Sequence, residues 1–197
     1  MSPLAPAVAC AALLLASAGR DGSAQPGPEL AHVKQLGAAL SEYNDGNVHA
    51  VAAYYYSQRN HDSAWVLVEL GFNSQRAVQI TRDRIELATP SGDVVPLSGH
   101  RRWALDATRA TRLLQQVRPT RHQVRSYFKE IADITRLRFF IRPDDRGTIV
   151  DAMDSTSDQV LLGDLFFESP TGAWERGRYV LAIGHARGVA QLPIELR

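Results

Sequence analysis

The chain has 197 residues, 45% of them hydrophobic and 22% charged, and a formal net charge of +1. A chain of this length can bury a sizeable core in one domain, and its composition excludes a disordered protein and one built mainly of membrane spans. The near-balanced charge also argues against a dedicated nucleic-acid-binding domain, because such domains are usually basic as a whole.

The N-terminal residues have the composition of an export signal. Residues 7–18 form an apolar run, and small-residue cleavage patterns occur at residues 16–18 and 22–24, although no basic residue precedes the run. The run is shorter than the about 20 apolar residues that a membrane-spanning helix requires. We therefore predict a signal peptide over residues 1–24, export to the periplasm or the extracellular space, and no transmembrane span. Because Cys10 lies in this segment, the mature chain would have no thiol for a disulfide, for catalysis or for metal binding.

Residues 25–46 are predicted to be a linker or a short helix. A Pro-Gly-Pro sequence is followed there by apolar residues at near-helical spacing. These apolar residues are Leu30, Val33, Leu36 and Leu40. The Asn-Asp-Gly-Asn cluster at residues 44–47 predicts a turn, after which the first strand begins.

β-Forming residues dominate the next part of the chain. Residues 48–58 and 64–72 are rich in β-branched and aromatic side chains and are predicted to be strands. Residues 78–88 alternate between apolar and polar side chains, which predicts a half-buried strand. A turn at residues 89–93 leads into a short strand over residues 94–97, so that these two strands form a hairpin.

The hydrophobic period then changes from 2 to about 3.6 residues, which predicts a two-helix insertion over residues 99–135. The apolar stripe of the first helix is formed by Trp103, Ala110, Leu113, Leu114 and Val117. Pro119 ends this helix, and Thr120 is a suitable N-cap for the second. The apolar stripe of the second helix is formed by Val124, Tyr127, Phe128, Ile131 and Ile134. Together the two helices are predicted to form a hairpin.

Strands are again predicted over the rest of the chain. The first covers residues 137–141 and is followed by a loop and a short apolar run at residues 148–150. The clearest β patterns, separated by turn residues, are residues 159–168, 178–183 and 188–196. Residues 47–197 are thus predicted to be one β-sandwich domain that carries the helical insertion.

One segment of this last part, residues 165–183, places Tyr179 at the start of a strand, after Trp174 and a corner that contains glycine. It resembles the penultimate-strand region of immunoglobulin-like and fibronectin type III-like domains, in which a corner tyrosine donates its hydroxyl to nearby backbone. Trp174 would pack beneath this corner. The chain departs from true immunoglobulin domains because its mature part lacks the paired cysteines. The resemblance implies a mainly β fold, an antiparallel immunoglobulin-like sandwich with an α insertion, and implies no activity.

The helical insertion concentrates positive charge. Residues 101–142 hold eleven basic and three acidic residues, so this segment carries +8 and the rest of the chain −7. In the second helix Arg121, Arg125 and Lys129 stand at positions i, i+4 and i+8, which aligns them in one stripe beside the apolar face. This stripe is the partner- or anion-binding site that the sequence predicts, with lipid headgroups, nucleic acid or an acidic polymer as candidate ligands. The alternative is a solvated face, or one that pairs with acids of the sandwich.

Other groupings of reactive residues lack the spacing of a known site. Ser57, His61 and Asp62 include the residue types of a hydrolytic triad, but no G-x-S-x-G sequence surrounds the serine, and no catalytic residue is predicted. Six histidines are scattered without metal-binding spacing, so neither a metal nor a cofactor is predicted. Five aspartates lack the alternate spacing of an EF-hand calcium loop; they are Asp144, Asp145, Asp151, Asp154 and Asp158. Three consecutive tyrosines, residues 54–56, suit either a glycan or peptide groove or the core.

The sequence leaves three functions open. The first is an exported, non-catalytic β-sandwich that binds an unknown protein or polymer of the cell envelope. The second is an enzyme, such as a hydrolase, whose site is assembled from distant loops. The third is a peripheral protein whose basic helices lie on an anionic membrane surface. Nucleic acid is disfavoured as a partner, because export is predicted and the total charge is balanced.

Overall fold

The computed structural model describes residues 30–56, 62–118, 124–131, 133–141 and 146–197, and most of the regular structure in these ranges is β. The strands are β1 (Val33–Gly37), β2 (Leu40–Asn44), β3 (Val48–Tyr54), β4 (Trp65–Ser74), β5 (Val78–Thr81), β6 (Ile85–Ala88), β7 (Val94–Pro96), β8 (Asp133–Arg136), β9 (Ala152–Ser155), β10 (Gln159–Glu168), β11 (Gly177–His185) and β12 (Gly188–Leu196). The α-helices α1 (His100–Leu105) and α2 (Ala107–Val117) lie between β7 and β8, and 3₁₀ helices cover Arg82–Arg84 and Val124–Phe128. The predicted class, mainly β with inserted helices, is therefore confirmed.

The strands form three sheets in the described part of the chain. The largest has the order β1-β2-β3-β4-β10-β8, the second the order β12-β11-β6-β7, and the third pairs β5 with β9. Neighbouring strands are antiparallel, except that β8 runs parallel to β10. One hydrophobic cluster takes in Leu67 of β4, Leu181 of β11 and Leu113 of α2. The two larger sheets and the helices thus share a core.

β4 has a different neighbour on each of its two faces. On one face the ring centroid of Phe72 lies 6.4 Å from that of His185 in β11. On the other face a Cβ atom added to Gly71 would lie 2.5 Å from Phe128 Cε2 and 2.8 Å from Val124 Cγ1, so the 3₁₀ helix packs directly against the strand backbone. Because successive side chains of a strand point to opposite faces, this double cover explains why all 10 residues of β4 are buried.

The close approach at Gly71 gives a testable expectation. We expect Gly71→Ala to lower the free energy of unfolding by about 1–3 kcal/mol, because the added methyl group would overlap Phe128 and Val124. Urea denaturation measures this change. Gly37→Ala in β1 is the matched control and should cause no such loss, since a Cβ atom there would meet nothing within 4 Å. Equal effects of the two substitutions would contradict the packing described here.

The helix predicted within residues 25–46 is wrong for the described part, which begins at residue 30. β1 and β2 form a hairpin in which Val33 lies opposite Tyr43, and β2 pairs with β3 from Leu40 onwards. Leu40 and Tyr43 are buried, whereas most of β1 is exposed. Near-helical apolar spacing is thus outweighed by pairing with β3, a partner that the local pattern does not identify.

The strand predicted over residues 78–88 is interrupted by the 3₁₀ helix that begins at Arg82. Before it, β5 pairs with β9; after it, β6 pairs with β7 and β11, so the β6–β7 hairpin is confirmed. The backbone N–H of Arg82 donates to the Asp151 carbonyl oxygen at 2.8 Å. Apolar alternation continues on both sides of the break, and Ile80 and Ile85 are both buried. The alternation of apolar residues therefore predicts which side chains are buried. It does not predict that the strand breaks and that β5 and β6 pair with different strands.

The second predicted helix is also wrong. Its described part forms the five-residue 3₁₀ helix Val124–Phe128 and then the strand β8, which pairs with β10. The strand predicted at residues 137–141 is irregular, as is the short apolar run at residues 148–150. The N–H of Leu137 nevertheless donates to the Leu162 carbonyl oxygen at 2.9 Å. β8 and Leu137 form their backbone hydrogen bonds with the edge of β10. These bonds to a strand remote in sequence outweigh the local helical period.

The predicted strands elsewhere are confirmed: β3 and β4 in the first half of the chain, and β10, β11 and β12 in the last third. The hydrogen bond expected for Tyr179 is also present, because its hydroxyl donates to the Glu175 carbonyl oxygen at 2.9 Å. The ring centroid of Trp174 lies 5.8 Å from that of Tyr179. Burial raises the pKa of Tyr179, which keeps its hydroxyl protonated as the donor of this bond.

Candidate functional site on the helical segment

The two α-helices are attached to the sheets by their apolar sides. Trp103 of α1 is 1% exposed, and its ring centroid lies 5.6 Å from those of Phe140 and Phe166. The buried residues of α2 recur at helical spacing and are Ala107, Ala110, Leu113, Leu114 and Val117. The apolar stripe of the first predicted helix is therefore confirmed, although a turn at Asp106 divides that helix into α1 and α2.

Ion pairs attach the polar side of the helices to acids elsewhere in the chain. Arg102 Nη2 lies 2.6 Å from Glu168 Oε1 at the end of β10, and Arg109 Nε lies 2.6 Å from Asp62 Oδ2. The hydrogen bonds to these carboxylates raise the pKa of both guanidinium groups. Arg102 and Arg109 thus pair with acids of the β-rich part of the chain. The sequence offered this kind of pairing only for the stripe of the second predicted helix.

Three other arginines of the segment are exposed, and no described residue pairs with them: Arg101, Arg112 and Arg118. On a helical wheel Arg112 lies opposite the buried stripe of α2. Leu105, which is 79% exposed, lies four residues after Arg101 and therefore on the same side of α1. We call these four residues, Arg101, Leu105, Arg112 and Arg118, the basic face.

The acids around the basic face do not neutralise it. Residues 100–118 contain five arginines and one aspartate, which sum to +4, and adding the paired acids Glu168 and Asp62 still leaves +2. Arginine can bind a carboxylate or a phosphate through two parallel N–H···O bonds. The basic face can thus bind an external anion without breaking the ion pairs that hold the helices in place.

The three residues of the predicted stripe, Arg121, Arg125 and Lys129, do not form a common helical face in the described part of the chain. Arg121 lies outside the described residues. Arg125 is half-buried and donates to the carbonyl oxygens of Phe128 and Ile131, so it closes the end of the 3₁₀ helix. Lys129 is exposed just after that helix. Since a 3₁₀ helix has about three residues per turn, positions i and i+4 do not share a face there, and the role of these residues in binding stays a prediction.

Sequence reasoning assigned the contact surface to the second helix, whereas the unpaired arginines lie on and beside α1 and α2. A signal for them existed, because Arg112 stands opposite the apolar stripe that the sequence itself predicts. Arg109 is paired because Asp62 lies within reach of it, whereas Arg112 has no described partner. The local sequence around the two arginines does not predict the position of Asp62.

The residues considered for a hydrolytic triad are not seen together. Ser57 and His61 lie outside the described residues. Asp62 accepts hydrogen bonds from the backbone N–H groups of Ala64 at 2.8 Å and Trp65 at 3.1 Å, besides its ion pair. Asp62 therefore acts as a turn acceptor and an anchor for α2.

The described members of the aspartate group accept hydrogen bonds from protein donors. Asp144 and Asp145 lie outside the described residues. Asp151, Asp154 and Asp158 accept from Arg82, Gln79 and Thr156, respectively. Within the described ranges no group of three or more His, Cys, Asp or Glu side chains is placed to hold a metal ion.

The consecutive tyrosines belong mainly to the interior. The Tyr54 hydroxyl donates to the Ala38 carbonyl oxygen, and that of Tyr55 to Glu69 Oε2, each at 2.9 Å. Both rings are buried, and burial raises the pKa of Tyr54. These two side chains are therefore part of the core and do not line a groove.

In the described part of the chain, no helix has both the length and the apolar character needed to cross a membrane. Comparison of the chain with protein-family models, with curated proteins and with solved structures finds no match. The basic face is accordingly identified by its charge, its exposure and the pairing of its neighbours.

Proposed function

We propose that this chain is an exported, non-catalytic protein that binds an acidic macromolecule of the cell envelope, a protein or a polymer, through the basic face. One observation supports this most directly: Arg101, Arg112 and Arg118 stay exposed without a described partner, while acids bind the neighbouring Arg102 and Arg109. The helical segment thus carries unpaired positive charge, while its two ion pairs hold it in place. A fixed basic surface of this kind steers and orients an acidic partner.

The chemistry of the basic face also narrows the partner. Its arginines suit carboxylates, phosphates or sulfates, which accept two parallel hydrogen bonds. Leu105 adds an exposed apolar group on the same side of α1 as Arg101, and arginine beside an apolar anchor is a common composition for a protein contact surface. An acidic protein or an acidic polymer with apolar groups therefore fits better than a simple inorganic anion.

We also propose that the two larger sheets form an immunoglobulin-like or fibronectin type III-like sandwich that presents the helices. The corner bond from Tyr179 to Glu175 supports this, as does the contact between Phe72 of one sheet and His185 of the other. The parallel pair of β8 and β10 would be an addition to such a sandwich. Sandwiches host many unrelated functions, so the assignment of function depends on the basic face.

Changing Arg101, Arg112 and Arg118 together to glutamine is expected to weaken binding of the full chain to poly-L-glutamate by about 10- to 100-fold. Each exposed arginine–carboxylate contact contributes about 0.5–1 kcal/mol, and three such contacts would be lost together. Fluorescence anisotropy of labelled poly-L-glutamate measures the Kd over a series of salt concentrations. Binding of the unchanged protein should weaken as salt rises, because salt screens exposed charges.

The matched control changes the exposed Arg76, Arg146 and Arg176 to glutamine, which removes the same charge elsewhere. This variant should keep most of the affinity. Equal weakening in both variants, or binding insensitive to salt, would show that the basic face is not the contact surface. Binding to phosphatidylglycerol vesicles without binding to poly-L-glutamate would replace the proposal with attachment to an anionic membrane surface.

A further inference from the structure

A polar cleft of about 710 Å³ opens beside the 3₁₀ helix Val124–Phe128. It lies between the β2–β3 turn, the end of β4 and the residues that follow the 3₁₀ helix. Its size falls within the about 300–1,000 Å³ that is typical of small-molecule sites. Its lining includes His49, Asn73, Tyr127, Phe128, Lys129 and Glu130.

Asn73, near the end of β4, lines this cleft with a side-chain amide whose orientation is fixed. Asn73 is 3% exposed, and its Nδ2 donates to the carbonyl oxygens of Thr156 at 2.7 Å and Gln159 at 2.8 Å. Because carbonyl oxygens only accept, the amide nitrogen must face them, and the amide oxygen must point the other way. No described residue donates to Asn73 Oδ1. A side chain locked by two hydrogen bonds thus offers one open acceptor.

His49 lies opposite Asn73 in the β3–β4 pairing, so both side chains lie on the same face of the sheet. Its Nε2 is 2.8 Å from Glu42 Oε1, and its ring centroid is 4.5 Å from that of Phe128. Because a carboxylate oxygen only accepts, Nε2 of His49 is the donor in this bond. The carboxylate and the phenyl ring together hold the imidazole in position beside the cleft.

Three exposed residues of the lining carry an aromatic or charged side chain: Tyr127, Lys129 and Glu130. The other exposed residues of the lining are uncharged and are Asn44, Gly46, Asn47, Gln75 and Ser157. The charges of Lys129 and Glu130 cancel. The ammonium group donates, the carboxylate accepts, and the phenol does both. Tyr127, which is 39% exposed, also provides an aromatic ring at the cleft.

We propose that this cleft binds a saccharide. Each sugar hydroxyl both donates and accepts hydrogen bonds. The lining offers both kinds of group, because Asn73 and Glu130 accept while the flexible side chain of Lys129 donates. The C–H face of a sugar ring can pack on the exposed ring of Tyr127. The proposal goes beyond the function given above, since none of the four residues of the basic face lines the cleft.

Other ligand classes fit this lining less well. An inorganic anion would meet Lys129 but also the carboxylate of Glu130 and the open oxygen of Asn73. An apolar ligand would cover Asn73 Oδ1 without giving it a donor, which is unfavourable for a buried acceptor. A neutral ligand rich in hydroxyl groups meets neither obstacle.

The two lysines of the chain, Lys34 in β1 and Lys129 in the cleft, provide a direct test. Reductive ¹³C-methylation of the full chain labels both side chains for NMR and preserves their charge. Maltotriose, cellotriose and triacetylchitotriose are added separately, each up to about 10 mM. We expect at least one of them to shift the Lys129 signal in a saturable manner, with a Kd of about 1 mM or lower, and to leave Lys34 unchanged.

Substitutions then assign the contacts. Tyr127→Ala should raise the Kd for that sugar by about 3- to 10-fold through loss of ring packing, and Lys129→Gln by about 2- to 5-fold through loss of a charged donor. Calorimetry on the unmethylated chain measures both changes. Lys34→Gln is the matched control and should not alter the Kd. Because Tyr127 and Lys129 are exposed, both variants should fold, and circular dichroism verifies this.

Three results would overturn the proposal. The first is that none of the three sugars shifts the Lys129 signal. The second is that a sugar binds but Tyr127→Ala and Lys129→Gln leave its Kd unchanged. The third is that trialanine shifts the Lys129 signal while the sugars do not, which would assign the cleft to a peptide.

Discussion

Replacing Arg82 with alanine is expected to lower the free energy of unfolding by about 3–5 kcal/mol. The guanidinium joins three parts of the chain: Nη1 donates to the Ser98 carbonyl oxygen at 2.6 Å, Nη2 to that of Phe139, and Nε to Asp151 Oδ1 at 3.0 Å. It also lies over the ring of Phe140, 4.9 Å from its centroid. Alanine would leave two carbonyl groups without these donors and remove the packing of the side-chain stem.

The carboxylate of Asp151 contributes little to this expected loss, because its side chain is 87% exposed whereas that of Arg82 is 13% exposed. Burial lowers the pKa of the Arg82 guanidinium, while the hydrogen bond to Asp151 opposes that shift. The interior hydrogen bonds to the two backbone carbonyls therefore dominate.

Urea denaturation measures the effect of Arg82→Ala, and Arg84→Ala is the matched control because Arg84 is exposed two residues away. The control should change stability by no more than about 0.5 kcal/mol. Arg82→Lys should recover only part of the loss, since an ammonium group lacks the planar fork that reaches several acceptors. A loss below about 1 kcal/mol for Arg82→Ala would contradict this role.

A second measurement on the same variant is independent of stability. Burial chiefly, and the charge of Arg82 in addition, lower the pKa of His100. Removal of the guanidinium takes away the second cause, so the pKa of His100 should rise toward its ordinary value in Arg82→Ala. An NMR titration of the imidazole would show this, and an unchanged pKa would place Arg82 too far away to act on His100.

Trp103→Ala is expected to lower the free energy of unfolding by about 3–5 kcal/mol as well, because Trp103 is the one buried residue of α1. The indole ring centroid lies 5.5 Å from that of His100, besides its contacts with Phe140 and Phe166. The cavity left by alanine would lie between α1 and β10. Limited proteolysis should then cleave the helical segment faster than in the unchanged protein.

Trp103→Phe separates ring packing from the polar group of the indole. Trp103 Nε1 is buried and finds no acceptor in the described part of the chain, so phenylalanine removes an unpaired donor while keeping an aromatic ring. We expect it to retain more than half of the stability that alanine loses. Leu105→Ala, on the same helix but 79% exposed, should be nearly neutral. Similar losses for Leu105→Ala and Trp103→Ala would contradict the docking of α1 through its buried face.

The elements that the sequence predicted correctly are those whose information is local. β10 and β12 have apolar residues between clear turn signals, and they occupy the predicted residues. The apolar stripe of α2 has a period of 3.6 residues and is buried throughout. The Tyr179 corner bond spans only four residues, so its geometry is encoded within one short segment.

The errors occur where a distant strand provides the hydrogen-bond partners. β2 and β8 each pair with a neighbour that their own composition does not reveal. Arg82 interrupts a regular alternation, and the acceptors of its side chain lie in three other segments. The candidate sites show the same limit. Asn73 has no distinctive sequence context, and its open acceptor exists only because Thr156 and Gln159 hold its amide nitrogen.

By itself the sequence determined a mainly β chain with a basic helical insertion, because side-chain period and turn residues act over a few neighbouring positions. Only the tertiary structure decided which arginines are free: Glu168 and Asp62 bind Arg102 and Arg109, and no described acid reaches Arg112. The physical reason is that the contribution of a charge depends on what lies within a few ångströms of it, and in a folded chain those neighbours are remote in sequence.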